Sequence, residues 1–561
     1  MSPTPRERSG GRILVDQLLI HGADRAFAVP GESFLAALDA LHDSPEIDLV
    51  VARQEGGAAM MAAANGKLTG RPGLCFVTRG PGATNASAGV HIAFQDSIPM
   101  ILFIGQVARG AFAREAFQEV EYRQMFQPLA KWVAQIEEAA RIPEFVARAY
   151  QTATSGRPGP VVLALPEDML REHAAVPDAG PYQPVQAHPG PAEMARLQAL
   201  LAKAERPFVM IGGGGWDQAT CDAMARFAER NALPVCVTFR CQDYLDNRHP
   251  NYVGHLGLGI DPRLRQRIQS SDLILVAGAR LGEITTEGYS LIAPPVPDQP
   301  LVHVHADATE LGRVYQPKLA INAGPRALAE ALGDLPASGG ALRQAWLEEA
   351  RTIYLEQLAP PTVPGPLQLG EIMVALRERL PAETIVTNGA GNYTVWANRF
   401  YQYRGYGSQV ATTAGSMGYG LPAAVGANAT HPERPVVCFA GDGCFLMHGQ
   451  ELATAVQYGL KIIVLVINNA MYGTIRMHQE RAYPGRVTGT DLVNPDFAAY
   501  ARAFGAQGEL VERTEDFAPA LERALAAETS ALIELRLDPE AITPAATLSE
   551  IRARALEQSD P

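Results

Sequence analysis

Gly441-Asp442-Gly443 is followed after 24 residues by Asn468-Asn469 in this chain of 561 residues, and this pairing is its most informative feature. A largely apolar run at 434–440 precedes the glycine turn, and a second apolar run at 461–467 ends at the paired asparagines. Short apolar runs that end at turn residues are typical of buried strands. Helix-compatible residues at 450–458 lie between the two runs. We therefore predict a βαβ unit with parallel strands, whose carboxyl ends meet at one edge of a sheet. Asp442 and Asn469 would then converge on one point.

The residue types at that point suit a divalent cation bound to phosphate. Mg²⁺ prefers oxygen ligands, and Asp442, Asn469 and the main-chain carbonyl of Met471 would supply three of them. Gly441 and Gly443 would let the backbone approach a diphosphate and donate N–H groups to it. Alternatively, both segments are ordinary strand-to-helix turns, in which Gly, Asp and Asn are common. The paired asparagines favour the cation site.

The spacing from Gly-Asp-Gly to Asn-Asn resembles the signature of thiamine diphosphate-dependent enzymes, and nearly the whole chain resembles acetolactate synthases. There is also some resemblance to benzaldehyde lyase and pyruvate decarboxylase. The resemblance implies thiamine diphosphate and Mg²⁺ as cofactors, with Asp442, Asn469 and Met471 as the metal ligands. It also implies an α/β fold of three doubly wound parallel-sheet domains: a pyrimidine-binding, a central and a diphosphate-binding domain.

A second group of residues lies near the amino terminus, where an apolar run at 49–52 leads to Glu55 and several small residues. Glu55 resembles the glutamate that activates the cofactor in this family. A carboxyl group hydrogen-bonded to the pyrimidine N1′ favours the imino tautomer, which removes the thiazolium C2 proton. Alternatively, Glu55 only caps the next helix, where its charge is favourable. The family motifs that follow in order favour the catalytic role.

Those motifs, at 78–85, 96–99 and 116–120, resemble acetolactate synthase. The resemblance adds Gly31 and Asn85 to the cofactor contacts. Gln118 offers an uncharged amide to a substrate oxygen or to a covalent intermediate. Alternatively, Asn85 and Gln118 only tie loops together.

Two segments near the carboxyl terminus complete the implied cofactor site. The segment at 415–422 resembles the one whose bulky apolar residue props the cofactor into its bent shape, which assigns this role to Met417, beside Gly415. Otherwise Met417 is an ordinary core methionine. Gly391 and Asn392 stand in a loop that the family places against the diphosphate, although Asn392-Tyr393 replaces the frequent glutamine-histidine pair.

Three ionisable residues depart from the acetolactate synthase pattern. His478 stands where these enzymes carry an acceptor-selecting tryptophan, Arg79 where they usually have serine, and Glu32 where pyruvate decarboxylases have a proton-relaying aspartate. If Glu32 and His478 face the cofactor, they can act as acid and base, since desolvation raises carboxyl pKa values. Alternatively, His478 is hydrogen-bonded near the surface, Arg79 pairs with a neighbouring carboxylate and Glu32 lies in solvent.

These residues and the resemblance predict a carboligase or lyase that acts on a small 2-oxo acid. The first expected reaction is the acetolactate-type condensation of pyruvate. An aldehyde or a ketoacid would be the acceptor. The alternatives are a 2-oxo acid decarboxylase or aldehyde lyase, a flavin-linked 2-oxo acid oxidase, and a non-catalytic cofactor-binding or regulatory subunit. Retention of Glu55 argues against the last.

Proline- and glycine-rich linkers at 176–191 and 358–366 divide the chain. We predict a pyrimidine-binding domain at 10–175, a central domain at 190–345 and a diphosphate-binding domain at 365–545. The charged tail at 546–561 would cover the site or stay disordered.

The central domain carries four glycines at 212–215 after an apolar run, where a pyrophosphate could meet a helix N-terminus. Acetolactate synthases bind a non-redox FAD in this domain. The segment Arg280-Leu281-Gly282-Glu283 departs from their usual Arg-Phe-Asp-Asp-Arg, so we expect no FAD, with a bound FAD as the alternative.

Composition argues against several classes of protein. The net charge of −13 disfavours nucleic-acid binding, and no apolar run reaches the ~20 residues that a membrane helix needs. The polar start at 1–11 lacks a signal-peptide core, and six cysteines without a C-x-x-C pair indicate reduced thiols in a cytoplasm. The family arrangement implies a homodimer or homotetramer, in which Glu55 of one subunit meets the metal site of another. A separate regulatory subunit is an open alternative.

Overall fold

The computed structural model describes residues 6–559 of the chain. Residues 1–5 and 560–561, which belong to the predicted polar start and the predicted charged tail, lie outside the described residues. The described chain contains three six-stranded sheets of parallel strands flanked by helices. This confirms the predicted α/β class with three doubly wound parallel-sheet domains.

The strands form these three sheets, together with a small antiparallel pair made by the first and the eighth strand. In chain order they are β1 (Glu7–Ser9), β2 (Arg25–Ala28), β3 (Asp48–Val51), β4 (Gly73–Val77), β5 (Met100–Gln106), β6 (Trp132–Gln135), β7 (Pro160–Pro166), β8 (His173–Ala175), β9 (Pro207–Ile211), β10 (Val235–Val237), β11 (Tyr252–His255), β12 (Leu273–Ala277), β13 (Leu301–His305), β14 (Leu319–Asn322), β15 (Ile385–Asn388), β16 (Gln409–Ala411), β17 (Val436–Gly441), β18 (Ile462–Asn468), β19 (Gln507–Val511) and β20 (Ala531–Arg536).

Helices connect the strands and cover the sheets. They are α1 (Gly10–Ile20), α2 (Leu35–His42), α3 (Glu55–Thr69), α4 (Pro81–Gln95), α5 (Tyr122–Phe126), α6 (Ile142–Thr154), α7 (Glu167–Arg171), α8 (Pro191–Lys203), α9 (Gln218–Asn231), α10 (Pro262–Gln269), α11 (Pro325–Gly333), α12 (Ala341–Glu356), α13 (Leu369–Arg379), α14 (Tyr393–Phe400), α15 (Gly420–Thr430), α16 (Asp442–Leu446), α17 (Glu451–Gln457), α18 (Gly473–Ala482), α19 (Phe497–Ala503), α20 (Thr514–Ala526) and α21 (Leu548–Ser559). Short 3₁₀ turns occur at Glu32–Phe34, Arg109–Ala111, Gln127–Leu129, Ala139–Arg141, Gln242–Tyr244 and Ala308–Glu310.

The strand order reverses near the middle of each sheet. The amino-terminal sheet has the order β3-β2-β4-β5-β7-β6, the middle sheet β11-β10-β9-β12-β13-β14, and the carboxyl-terminal sheet β16-β15-β17-β18-β20-β19. The reversals lie between β2 and β4, between β9 and β12, and between β15 and β17. Ligands of doubly wound sheets bind outside the carboxyl ends of the strands at such a reversal.

The described chain falls into two compact units. The first contains the amino-terminal sheet and consists of the residues up to Val185 together with Val425–Thr430 and Ala453–Tyr458. The second contains the middle and carboxyl-terminal sheets and consists of the other described residues.

The predicted βαβ unit forms with small shifts at its ends. β17 begins at Val436 instead of 434, since Arg434 is charged and Pro435 has no N–H for the ladder. β18 and α17 each lie within one residue of the predicted bounds. All of β18 is buried, as expected of a parallel strand with both faces covered.

The charged tail is a helix, so the disordered alternative is wrong for its described residues. α21 packs on α18 through an apolar cluster of Met477, Ile542, Leu548 and Ile551. An ion pair joins Arg552 of α21 to the fully buried carboxylate of Glu480 on α18. Between residues 6 and 559, no helix combines the length and the apolar composition needed to cross a bilayer.

Candidate functional site

The two polar turns predicted to converge follow adjacent strands. β17 and β18 pair in parallel, and Gly441 at the end of β17 is the register partner of Ile467. Asp442 and Asn469 therefore follow neighbouring strands at the same edge of the sheet, as predicted. Next to them, on the other side of β17, β15 leads into the loop that carries Gly391.

A cavity of about 240 Å³ opens at this edge of the carboxyl-terminal sheet. It lies entirely within the second unit, and its lining includes every cofactor contact predicted for this part of the chain: Gly391, Asn392, Gly415, Met417, Gly441, Asp442, Gly443, Asn469 and Met471. Apolar side chains such as Trp396, Ile467 and Leu537 form other parts of the wall. A largely apolar cleft with a few convergent polar groups is typical of a cofactor site.

Asp442 is the only carboxylate in the lining of this cavity, and it is almost fully buried, with 3% of its surface exposed. The N–H of Gly443 donates to Oδ1 at 2.8 Å, and the amide of Asn494 donates to Oδ2 at 2.9 Å. Burial raises the pKa of Asp442, and these hydrogen bonds oppose that rise. A cation beside the carboxylate would favour its ionised form.

The paired asparagines have different partners. Asn469 lines the cavity, whereas the side chain of Asn468 turns into the protein. Asn468 Nδ2 donates to Glu534 Oε1 at 2.8 Å, and its Oδ1 accepts from the N–H of Ala470 at 3.0 Å. Only Asn469 is therefore placed to bind a ligand, and Asn468 supports the turn.

Glycine is required around the cavity because a Cβ would collide with aromatic rings. At Gly443 an added Cβ would lie 2.5 Å from the ring of Tyr472, and at Gly391 it would lie 2.7 Å from the ring of Tyr393. No cluster of three or more His, Cys, Asp or Glu side chains suited to a metal occurs in the described ranges. A cation at Asp442 would therefore take amide, carbonyl and phosphate oxygens, as Mg²⁺ does. The residues present thus fit a diphosphate with Mg²⁺.

The loop after β15 and helix α18 are joined by Asn392. Its Oδ1 accepts from the hydroxyl of Thr474 at 2.9 Å, and its Nδ2 donates to the carbonyl of Ile542 at 3.3 Å. Asn392 therefore lines the cavity with its amide already engaged. Met417 is half-buried in the lining, which is not the position of an ordinary core methionine.

In the first unit, Glu55 is the first residue of α3 and is held from two sides. Asn85 Nδ2 donates to Glu55 Oε2 at 2.9 Å, and a Cβ on Gly82 would lie 3.3 Å from Oε1. The side-chain cap of α3 is Gln54, which accepts from the N–H of Gly57 at 3.0 Å. The carboxylate of Glu55 therefore does not supply this cap.

Arg79 and Glu32 form an ion pair in the first unit. The guanidinium of Arg79 is 9% exposed, lies 3.3 Å from Glu32 Oε1 and 3.2 Å from Glu167 Oε2, and donates to the carbonyl of Phe117. The pairing expected as the alternative for Arg79 is thus present. Glu32 itself has 59% of its side chain exposed.

Gln118 adopts a left-handed backbone, with φ of 62°. Its Oε1 is buried without a hydrogen-bond partner in the part of the chain that the structure describes. A Cβ on Gly80 would lie 2.7 Å from the Cβ of Gln118, so Gln118 covers the glycine loop. Gly31 is equally constrained, since its Cβ would lie 2.3 Å from the Cβ of Thr78.

His478 lies exposed on α18 and is not among the residues that line the cavity. The cavity is bordered by the first turn of the same helix, at 473–475. Its predicted role as an acid or base remains a prediction.

The glycine turn at 212–215 in the middle sheet is covered by aromatic side chains. The indole of Trp216 donates to the carbonyl of Gly212 at 2.8 Å, and the hydroxyl of Tyr244 donates to the carbonyl of Gly213 at 2.5 Å. Trp216 is 4% exposed, and its Nε1 would lie 3.0 Å from a Cβ on Gly278. Two carbonyls of this turn are therefore bound by aromatic side chains of the same unit.

Sequence reasoning missed two residues at the cavity. Asn494 lies in a coil 25 residues beyond Asn469 and hydrogen-bonds Asp442, but its Asn-Pro-Asp context indicates only a turn. Cys444 lines the cavity, and its Sγ accepts from the N–H of Gly418 at 3.2 Å. Its place directly after the Gly-Asp-Gly turn was the one available signal.

Comparison with protein families gives three matches along the chain. Residues 8–125, 194–332 and 389–535 match, in that order, the amino-terminal TPP-binding domain, the central domain and the carboxyl-terminal TPP-binding domain of thiamine pyrophosphate enzymes. Thiamine pyrophosphate is another name for thiamine diphosphate. The carboxyl-terminal match includes most of the residues that line the cavity.

Three curated relatives cover nearly all of the chain. The acetolactate synthase large subunit of Parasynechococcus marenigrum is 33% identical over 95% of this chain and 88% of its own length. The acetolactate synthase isozyme 2 large subunit of Escherichia coli is 30% identical over 94% of this chain and 96% of its own length. The mitochondrial acetolactate synthase of Schizosaccharomyces pombe is 30% identical over 94% of this chain and 83% of its own length. The chain therefore belongs to the acetolactate synthase-like family of thiamine pyrophosphate enzymes.

Proposed function

We propose that this protein condenses two 2-oxo acids in a thiamine diphosphate- and Mg²⁺-dependent reaction of the acetolactate synthase type, with pyruvate as donor. The observation that carries the proposal is the cavity at the carboxyl ends of β15, β17 and β18, with buried Asp442 in its wall. The activity for which the relatives are named supports the same reaction class.

Several polar groups of the cavity would hold the cofactor. Asp442 Oδ, the amide oxygen of Asn469 and the carbonyl of Met471 would bind Mg²⁺, and the N–H groups of the Gly441-Asp442-Gly443 turn would face the diphosphate. When bound, thiamine diphosphate supplies a nucleophilic carbon and an electron sink for decarboxylation. Met417 would support the ring system from the wall.

Glu55 holds a proton for the cofactor pyrimidine in this proposal. The hydrogen bond from Asn85 fixes the carboxylate, and the absence of a side chain at Gly82 leaves room beside it. The buried Oε1 of Gln118, which has no partner within residues 6–559, is a candidate acceptor for a substrate hydroxyl. An unpaired buried acceptor is costly unless a ligand or water satisfies it.

Glu32 and His478 would select between protonation and condensation. Arg79 shares its charge between Glu32 and Glu167, so the bond to Glu32 can break without leaving Arg79 unpaired. We propose that Glu32 delivers or accepts a proton at the substrate, and that exposed His478 contacts the acceptor. Unchanged turnover and product ratio in both Glu32→Gln and His478→Ala would exclude these roles.

The assembly that we propose is a homodimer or homotetramer, in which Glu55 of one copy meets the metal site of another. Several relatives are named large subunits, so a second kind of subunit is a further candidate partner. We propose no FAD in the middle domain, because Trp216 and Tyr244 cover its glycine turn.

Product analysis tests the proposed reaction. Purified protein with thiamine diphosphate and Mg²⁺ would be given pyruvate alone, and then pyruvate with other 2-oxo acids or aldehydes. We expect acetolactate from pyruvate, and none from Asp442→Ala or Glu55→Gln. Acetaldehyde as the sole product would instead assign a decarboxylase. A bound yellow chromophore with consumption of oxygen or quinone would assign the flavin-linked oxidase.

A further inference from the structure

Asn494 connects the metal-site carboxylate to the end of the neighbouring strand. Its Nδ2 donates to Asp442 Oδ2 at 2.9 Å and to Asn468 Oδ1 at 3.0 Å. An amide NH₂ carries two donor hydrogens, so both are used. Asn494 therefore hydrogen-bonds to one side chain at the end of β17 and to one at the end of β18.

The orientation of this amide is set by its partners. Asn468 must present its oxygen to Asn494, because its own Nδ2 donates to Glu534 and its Oδ1 accepts from the N–H of Ala470. A flipped Asn494 amide would place oxygen against oxygen at both contacts, with Asp442 and with Asn468. Donation by Asn494 thus satisfies both acceptors, and its own Oδ1 stays buried without a partner among the described residues.

The network is anchored in the sheet. Glu534 lies on β20, is 1% exposed, and accepts from Asn468 and from the N–H of Phe497 at 3.2 Å. Phe497 is the first residue of α19, three residues beyond Asn494. Both ends of the short segment 494–497 are therefore tied to strand ends.

We infer that Asn494 is a positioning residue that fixes the carboxylate of Asp442 for a divalent cation. With Oδ1 held by Gly443 and Oδ2 by Asn494, the carboxylate cannot rotate, and its remaining lone pairs keep one direction. Partners that orient metal ligands in this way commonly alter metal affinity by about 10- to 100-fold when they are removed. The inference rests on the proposed function, because it takes the cation at Asp442 to be the one bound with thiamine diphosphate.

The test uses Mn²⁺ as the probe, added with thiamine diphosphate to the full-length protein. Free Mn²⁺ is measured by electron paramagnetic resonance for the wild type, Asn494→Ala and Asp496→Ala. Asp496 is the matched control, because within the described structure its side chain caps α19 through the N–H of Ala499 and does not hydrogen-bond Asp442. We expect Asn494→Ala to weaken Mn²⁺ binding by about 10- to 100-fold, and Asp496→Ala by less than about twofold.

Turnover against cation concentration gives a second readout. In Asn494→Ala the half-saturating Mg²⁺ concentration should rise, and the rate at saturating Mg²⁺ should stay near that of the wild type. If Asn494→Ala does not fold, Asn494→Ser replaces it. The serine hydroxyl has one donor hydrogen for two acceptors, so an intermediate loss is expected.

Two results would overturn the inference while leaving the proposed function intact. Mn²⁺ affinity of Asn494→Ala within twofold of the wild type would show that the amide does not position the carboxylate. Equal losses in Asn494→Ala and Asp496→Ala would assign the effect to the local fold. If instead the wild type and Asp442→Ala bind Mn²⁺ equally, the proposed metal site is wrong, and the inference falls with it.

Discussion

The middle and carboxyl-terminal sheets have the same six-stranded parallel design, yet their glycine turns differ in what lies over them. The turn after β9 is covered by Trp216 and Tyr244, whose polar hydrogens occupy its carbonyls. The turn after β17 opens on a cavity lined by Asp442. Glycines at the carboxyl end of a strand therefore do not define a binding site. The side chains beside the turn decide whether the space holds protein or ligand.

The glycines allow close packing in both sheets, but against different groups. A Cβ on Gly213 would lie 2.0 Å from the carbonyl oxygen of Gly278, so the two middle turns touch each other directly. Around the cavity, the glycines instead leave room beside Tyr393 and Tyr472.

The largest effect is expected from a matched pair of aspartates beside the two turns. Asp442→Ala should lower turnover by about 1000-fold, which corresponds to about 4 kcal/mol, because the only carboxylate in the cavity is lost. Asp217→Ala removes the cap of α9, so we expect about 1 kcal/mol of lost stability. Turnover and the free energy of thermal unfolding, measured for both variants, would check these two expectations. Loss of turnover in Asp217→Ala at a temperature where it stays folded would contradict the comparison.

Trp216→Ala should destabilise the middle sheet by about 3–5 kcal/mol, because a buried indole leaves a cavity. Thiamine diphosphate affinity, measured by calorimetry below the unfolding range, should stay within twofold of the wild type. Trp396→Ala is the counterpart, since this indole lines the cavity of the carboxyl-terminal sheet, and it should weaken cofactor binding. Uptake of FAD by wild-type protein would show that the middle turn is open after all.

Alanine at two glycines should separate the packing turn from the binding turn. Gly213 has φ of +78° and no room for a Cβ, so Gly213→Ala should cost about 2–3 kcal/mol of stability and leave cofactor affinity unchanged. Gly443→Ala would press on the ring of Tyr472, and we expect cofactor affinity to fall about tenfold. The contrary result would be a similar loss of stability in both variants with no change in affinity.

A pH dependence of stability is expected in the middle sheet. Burial lowers the pKa of His255 on β11 from 6.5 to about 4. Between these values the unfolded chain binds the additional proton, so stability is lost as pH falls from 6.5 and levels off near 4, by roughly 3 kcal/mol in total. Hydrogen exchange of β11, corrected for intrinsic rates, should show this slope in the wild type and lose it in His255→Gln. The exposed His173→Gln is the control, and a slope that persists in His255→Gln would exclude the account.

Much of the cavity could be predicted from the sequence, because its residues follow strands that are strongly apolar. The alternation of β17, α17 and β18 placed Asp442 and Asn469 together, since parallel strands share an edge. The separate duties of Asn468 and Asn469 could not be foreseen, because they depend on Glu534 in a strand 66 residues away. Asn494 lies in a coil, where no periodicity indicates a direction.

The contacts of Trp216 and Tyr244 with the middle turn could not be predicted from the sequence either. Trp216 directly follows the glycines, and a tryptophan there is compatible with solvent, with a ligand or with the core. Its burial depends on Tyr244 and on the turn at Gly278, which come from distant segments. Arg79 could be paired with a carboxylate in advance, but the choice of Glu32 and Glu167 needed the fold.

Anomalous diffraction from crystals grown with Mn²⁺ and thiamine diphosphate would locate the cation. We expect a peak at bonding distance from Asp442, the amide oxygen of Asn469 and the carbonyl of Met471. We also expect cofactor density in the cavity outside β15, β17 and β18, with no ligand at the turn at 212–215. A fully occupied peak away from Asp442, or cofactor phosphate at the middle turn, would contradict the proposed site.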